Sequence, residues 1–186
     1  MYRDETLKKY LDDLAAKLPA PGGGSAAAMS AAMGAALISM VANFTVGKPK
    51  YSQYEQEVKE ILEKSEKLRE EFLGLVDKDV LAYQSKNIRE ALDVPFMVCR
   101  LAFEAMQLCP ALITKGNVNL ISDVGVAAVF LEAAFTCARL NVEINLKSIE
   151  DKEFAALTRR ELDEKEKSIR ELRKDTEVKV GKIIRG

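Results

Sequence analysis

Between Leu18 and Gly47 the chain carries no charged side chain. Inside that run, Ala26 to Val46 reads AAAMSAAMGAALISMVANFTV, an uncharged stretch of 21 residues, which is long enough to cross a bilayer. Its apolar content is mostly Ala rather than Leu or Ile. Ser30, Ser39, Asn43 and Thr45 interrupt it, and no aromatic belt flanks it. Ala26, Ser30 and Gly34 recur every four residues, so one helix face is small enough for a neighbouring helix to come very close. These features predict the buried central helix of a helical bundle rather than a membrane span. A helix without a polar face needs cover on every side, which also favours a contact between subunits.

The rest of the sequence keeps a helical period. Leu7, Tyr10, Leu11, Leu14 and Leu18 repeat at steps of three and four until Pro19 and Pro21 stop them. No alternating run bounded by turn signals suggests a strand, so the expected fold is all-α. No linker divides the chain, and residues 1–186 are expected to form a single domain whose last part, 150–186, is a charged C-terminal helix. Tyr51, Tyr54, Val58, Ile61, Ser65, Leu68, Phe72, Leu75 and Asp79 fall on one helix face. Ser65 on that face can bond a backbone carbonyl one turn back. Asp79 sets a carboxylate on the stripe, with Tyr83 one turn further on. Burying an ionised carboxylate is costly unless it is paired or its pKa rises. Asp79 is therefore either a functional group or the end of a helix facing solvent or a basic partner. Asp77, off the stripe, is expected to be solvated.

Asn87 to Glu90 has the form of a capping box opening the next helix. Pro95 interrupts it, and Cys99, Ala102, Met106, Cys109 and Ile113 carry the period past Pro110, as one kinked helix or two short ones. Lys115-Gly116-Asn117 turns the chain. Ser122 is the expected cap of a helix running to about Lys147, with Asp123 in its first turn. One face of that helix carries Val126, Phe130, Ala133, Cys137, Leu140 and Ile144. Another carries Glu132, Thr136, Arg139 and Glu143, where Arg139 and Glu143 suit an i,i+4 pair.

Composition narrows the chemistry. There is no histidine, which excludes imidazole triads, His metal ligands and a histidine switch. The 28 basic and 29 acidic residues give a net charge of −1, which offers nucleic acid no attracting field. Cys99, Cys109 and Cys137 have no metal-ligand spacing and read as reduced, buried thiols of a cytoplasmic protein. No metal site is expected, and no secretory signal opens the chain. Pro21-Gly22-Gly23-Gly24-Ser25 precedes the uncharged helix. Glycines there permit close approach, and free N–H groups at the helix start favour an anion. A tight turn between packed helices accounts for the same residues.

The run from Pro19 to Tyr51, PAPGGGSAAAMSAAMGAALISMVANFTVGKPKY, resembles the cyclodeaminase/cyclohydrolase family of one-carbon folate metabolism, which includes the C-terminal domain of formiminotransferase-cyclodeaminase. VDKDVLAY (Val76–Tyr83), KGNVNLISDVGVAA (Lys115–Ala128) and NVEINLKSI (Asn141–Ile149) match in order. The resemblance implies an all-helical bundle that forms a helical dimer. It implies a cyclodeaminase that closes N5-formimino-tetrahydrofolate to the methenyl form with release of ammonia. The alternatives are a methenyltetrahydrofolate cyclohydrolase on the same site and a non-enzymatic helical module. The second acid of the D-x-D-x-x-A-F/Y motif falls on Asp79, which becomes the expected catalytic carboxylate. Tetrahydrofolate would be the partner, with no cofactor beyond it. Candidate substrate-binding residues are Gly22, Gly23, Gly24, Ser25, Asn43, Lys48, Tyr83, Asn117, Asp123 and Asn141, with Lys50 and Asn145 beside them. The substrate's glutamate carboxylates are expected on the Gly22–Ser25 helix start or on Lys48 and Lys50. One departure stands out: only Gln84-Ser85-Lys86 separates Tyr83 from Asn87, where the family usually has a longer connection.

Overall fold

The computed structural model describes residues 1–186 and contains no strand. Seven α-helices follow in order: α1 Leu7–Ala15, α2 Gly23–Asn43, α3 Glu55–Ser85, α4 Ile88–Met106, α5 Cys109–Lys115, α6 Ile121–Leu146 and α7 Lys152–Arg185. Short 3₁₀ turns lie at Tyr2–Asp4, Pro49–Tyr54 and Val118–Leu120.

The uncharged run becomes α2, the middle of the bundle, packed mainly on α3 and α6. The small-residue face is the reason it fits there. A Cβ on Gly34 would lie 2.8 Å from Leu131 Cγ of α6, and the Ser30 hydroxyl donates to the Phe130 carbonyl at 3.3 Å. On the other side, Ser39 and Ser65 share a buried hydrogen bond of 2.8 Å between α2 and α3. Ser65 also donates to the Leu62 carbonyl one turn back. The α3 stripe is the buried face: Val58, Ile61, Leu68, Phe72 and Leu75 all enter the core. Three stretches, Gly23–Asn43, Ile88–Lys115 and Val118–Leu146, are long and apolar enough to cross a membrane by length and composition. In α2 that surface is largely spent on its helical neighbours.

Several local expectations change. Pro95 sits inside α4, which continues to Met106; the chain breaks instead at Gln107–Leu108, and Pro110 falls in the first turn of α5. Helix α6 starts at Ile121 without a side-chain cap, because the preceding turn, capped by Asn117, feeds straight into it; Ser122 is not its cap. The Val126–Ile144 face of α6 turns outward: Leu140 is 68% and Ile144 57% exposed. Val124, Ala127, Leu131, Ala134, Phe135, Ala138 and Val142 fill the core in its place. Cys137 follows the outward face and is exposed, while Cys99 and Cys109 are buried. Arg139 does not pair along its own helix with Glu143. It bonds Asp163 and Glu166 of α7, while Glu143 meets Arg159 and Glu132 meets Arg173. Asp77 is 4% exposed rather than solvated. The turn at Tyr2–Asp4 folds over it, and the Tyr2 N–H donates to Asp77 Oδ1 at 2.7 Å.

Candidate functional site

A cleft of about 300 Å³ opens where the start of α2 meets α3, α4 and α6. Pro19, Ala20, Gly22, Gly23, Gly24, Asp79, Tyr83, Ala91, Asn141, Ile144 and Asn145 line it. Its size is at the low end of the ~300–1,000 Å³ typical of ligand sites. Asp79 is the sole carboxylate in this lining, and no Lys or Arg is present.

Gly24 is what lets Asp79 in. Helix α2 begins at Gly23 with Gly22 as its N-cap, and its first N–H groups have no partner within the helix. The Ser25 N–H donates to Asp79 Oδ2 at 2.9 Å. A Cβ on Gly24 would lie 2.1 Å from Asp79 Oδ1, a separation that real atoms do not adopt. The Ser25 N–H at this helix start is thus taken by the protein's own carboxylate. Burial holds the Asp79 carboxyl above the ordinary range, and the Ser25 N–H partly opposes that. Beneath it, the buried Tyr10 hydroxyl lies 3.2 Å from Ser25 Oγ. Tyr10 is the one residue of α1 that is buried, and it ties that helix to the site.

Tyr83, one turn beyond Asp79 on α3, is 59% exposed and borders the open side of the cleft with Ile144. From α6, the Asn141 amide donates to the Cys137 carbonyl at 2.9 Å and the Asn145 amide to the Ala91 carbonyl at 2.7 Å. Gly23 passes close to Asn141, whose Nδ2 would be 3.3 Å from a Cβ there.

Of the residues singled out in the sequence, Gly22, Gly23, Gly24, Ser25, Asp79, Tyr83, Asn141 and Asn145 come together here. Asn43, Lys48, Lys50, Asn117 and Asp123 do not. Asn43 ends α2, about 30 Å from Gly23 at 1.5 Å per residue, and Lys48 and Lys50 are exposed beyond it. Asn117 is spent inside the chain: its Nδ2 donates to the Phe44 carbonyl, its Oδ1 accepts from the Asn119 N–H, and its own N–H bonds Thr45. Asp123 lies in the first turn of α6 at that same far end. Ala91 and Ile144 were not foreseen. Ile144 had been assigned to an apolar face, and nothing in the sequence aims Ala91 at a cleft on another helix.

The connection after Tyr83 is short and closed. Lys86 takes a left-handed conformation (φ 56°), and Asn87 caps α4 by accepting from the Arg89 and Glu90 N–H groups. Glu90 answers to the Asn87 side chain rather than to its backbone N–H.

Fold and cleft together define an all-helical protein with a cleft built around one half-buried carboxylate and no imidazole. The sequence matches the formiminotransferase-cyclodeaminase family over residues 6–87 and 84–164, and the chain belongs to that family. The two matched segments overlap at residues 84–87, on the short α3–α4 connection. The chain is 42% identical to the methenyltetrahydrofolate cyclohydrolase of Methylorubrum extorquens, across 88% of this chain and 89% of that protein. It is 32% identical to the formimidoyltransferase-cyclodeaminase of Rattus norvegicus, covering 84% of this chain but 33% of the relative. Thus it spans about a third of that longer protein. The crystal structure of formiminotetrahydrofolate cyclodeaminase from Thermotoga maritima superposes with a TM-score of 0.84 at 31% identity, over 100% of this chain and 98% of that one.

Proposed function

We propose that the chain acts on tetrahydrofolate whose one-carbon unit bridges N5 and N10, and that it is a methenyltetrahydrofolate cyclohydrolase with Asp79 as its acid–base group. The observation that carries the reading is Asp79 itself: a half-buried carboxylate, with its pKa raised, on the wall of a cleft that offers no other carboxylate.

The ionised Asp79 accepts a proton from water as the water oxygen bonds to the methenyl carbon. The hydroxyl proton then leaves, the bond from that carbon to N5 breaks, and N5 keeps the electron pair and takes up a proton. The product is the 10-formyl form, with one proton released overall. While ionised, Asp79 also stabilises the methenyl cation electrostatically.

The sequence alone put the cyclodeaminase first. The relative matched almost end to end at 42% identity puts hydrolysis ahead, and the T. maritima structure supports ring closure with loss of ammonia as the second reading. In that direction N10 attacks the formimino carbon and Asp79 takes its proton, then returns one to the departing nitrogen. Neither route needs a metal or a redox cofactor.

The reading takes residues 1–186 as one cytoplasmic domain that binds no nucleic acid and enters no membrane. It also makes the protein a homodimer. Met33 of α2 and Val126, Val129, Leu140 and Ile144 of α6 form an apolar face on adjoining helices, and a self-complementary partner is the economical cover. A two-fold axis perpendicular to α2 would bring the partner's far end, with Asn43, Lys48 and Asp123, alongside the Asp79 cleft.

The test is to give purified protein methenyl-tetrahydrofolate and N5-formimino-tetrahydrofolate separately and follow the methenyl chromophore. Accelerated loss from the first is expected. Formation from the second alone makes the protein a cyclodeaminase, and no rate above the protein-free control overturns both readings.

A further inference from the structure

Pro95 stands inside α4. Without an N–H, it leaves the carbonyl four residues back, that of Ala91, with no donor from its own helix. The donor comes from α6: Asn145 Nδ2 reaches Ala91 O at 2.7 Å. One turn earlier on α6, Asn141 Nδ2 donates to the Cys137 carbonyl. Both partners are carbonyls, which only the NH2 end of an amide can meet. The orientation of both side chains therefore follows from chemistry, and each presents Oδ1 as an acceptor. Ala91, Asn141, Asn145 and Asp79 line one cleft.

We infer that Pro95 is a positioning residue of this site: by denying Ala91 its helical donor, it locks Asn145 with its oxygen available as an acceptor. Asn145 and Asn141 then form an acceptor-rich wall beside Asp79 that reads a ligand through N–H donors, leaving the carboxylate for the one-carbon unit. A fused heterocycle with an amino-pyrimidinone edge, presenting a ring N–H beside an exocyclic amine, fits that wall. The ligand class rests on the folate reading above; the locking of Asn145 does not.

Pro95→Ala tests it, because it restores an N–H that competes with Asn145 for the Ala91 carbonyl and so loosens the amide. If Asn145 merely patches a helix defect, this change raises the thermal midpoint and leaves ligand binding alone. If Pro95 positions Asn145, the midpoint holds or rises while KM, and Kd for tetrahydrofolate, rise about fivefold to tenfold with kcat within about twofold. Asn145→Ala should weaken binding equally, and the double variant no further. In amide NMR spectra of the full chain, the Asn145 NH2 resonances should lose their hydrogen-bonded shift and slow exchange in Pro95→Ala. Unchanged binding in Pro95→Ala overturns the inference. So does an equal loss when Pro95→Ala is added to Asn145→Ala, or an Asn145 amide that keeps its hydrogen bond. If the wild type does not bind tetrahydrofolate, the folate reading fails and the amide spectra still decide the positioning role.

Discussion

Replacing Gly24 with Ala is the sharpest perturbation the site offers, because the three atoms nearest the added one all belong to the Asp79 carboxylate. Its ideal Cβ falls 2.1 Å from Asp79 Oδ1 and 2.8 Å from Asp79 Cγ, whereas ordinary contact begins near 3.4 Å. The carboxylate must retreat by about 1.3 Å, or α2 must move away from α3. A misplacement of about 1 Å at a reacting centre costs on the order of 10²-fold in rate, so kcat/KM should fall about 100-fold. Stability should change much less. Ala gains about 0.5–1 kcal/mol over Gly within a helix, and a lost charge-assisted bond from the Ser25 N–H costs about 1.5–3 kcal/mol, leaving a net loss of about 0.5–2.5 kcal/mol. Steady-state kinetics and urea unfolding on the same preparations read both numbers. Gly74→Ala, where an added Cβ meets nothing within 4 Å, is the control and should stay fully active. Combining Gly24→Ala with Asp79→Asn should cost no more than Asp79→Asn alone. A Gly24→Ala protein within threefold of wild-type kcat/KM would refute the argument that the carboxylate must sit where it does.

Asp79→Asn should stabilise the protein at pH 8 but not at pH 3. The raised folded-state pKa means that folding favours the protonated form, so stability present in acid is lost as pH rises through that pKa; thermal melts at the two pH values check the sign. Gly34→Ala should cost about 1–3 kcal/mol in urea unfolding through overpacking against the buried Leu131. Phe72→Ala, which empties a fully buried position, should cost about 3–5 kcal/mol by the same assay. Cys137, on the outward apolar face, should react with a bulky maleimide in dilute protein and, if the proposed dimer covers that face, be shielded as concentration rises, while burial keeps Cys99 and Cys109 unreactive; mass spectrometry of labelled peptides checks it.

What could be read from the residues depended on how unevenly apolar each helix is. On α3, charged and apolar residues separate cleanly, so the buried stripe and the anomaly of Asp79 upon it were both legible. On α2 the four-residue spacing of small side chains announced a close neighbour, and α6 is that neighbour. Helix α6 is apolar on nearly every side, so its period does not say which face turns inward, and the face from Val126 to Ile144 is the outward one. Asp77 was misjudged because its cover comes from Tyr2, 75 residues away. The site itself divided by distance: residues at the start of α2 met Asp79, whereas Asn43, Lys48, Asn117 and Asp123 belong to the far end of the bundle. No local pattern distinguishes the two ends of a helix that is uncharged throughout.

The central claim is that Asp79 is the acid–base group of a folate one-carbon reaction. It is tested most directly by the pH dependence of kcat/KM for wild type and Asp79→Asn on whichever of the two folates is turned over. The wild-type rate should rise with pH along a limb displaced above the ordinary carboxylate range, because the base must ionise and burial resists that. Asp79→Asn should lose the limb and about 10²–10⁴-fold of the rate. An Asp79→Asn protein that keeps both the limb and a rate within tenfold of wild type would contradict the account.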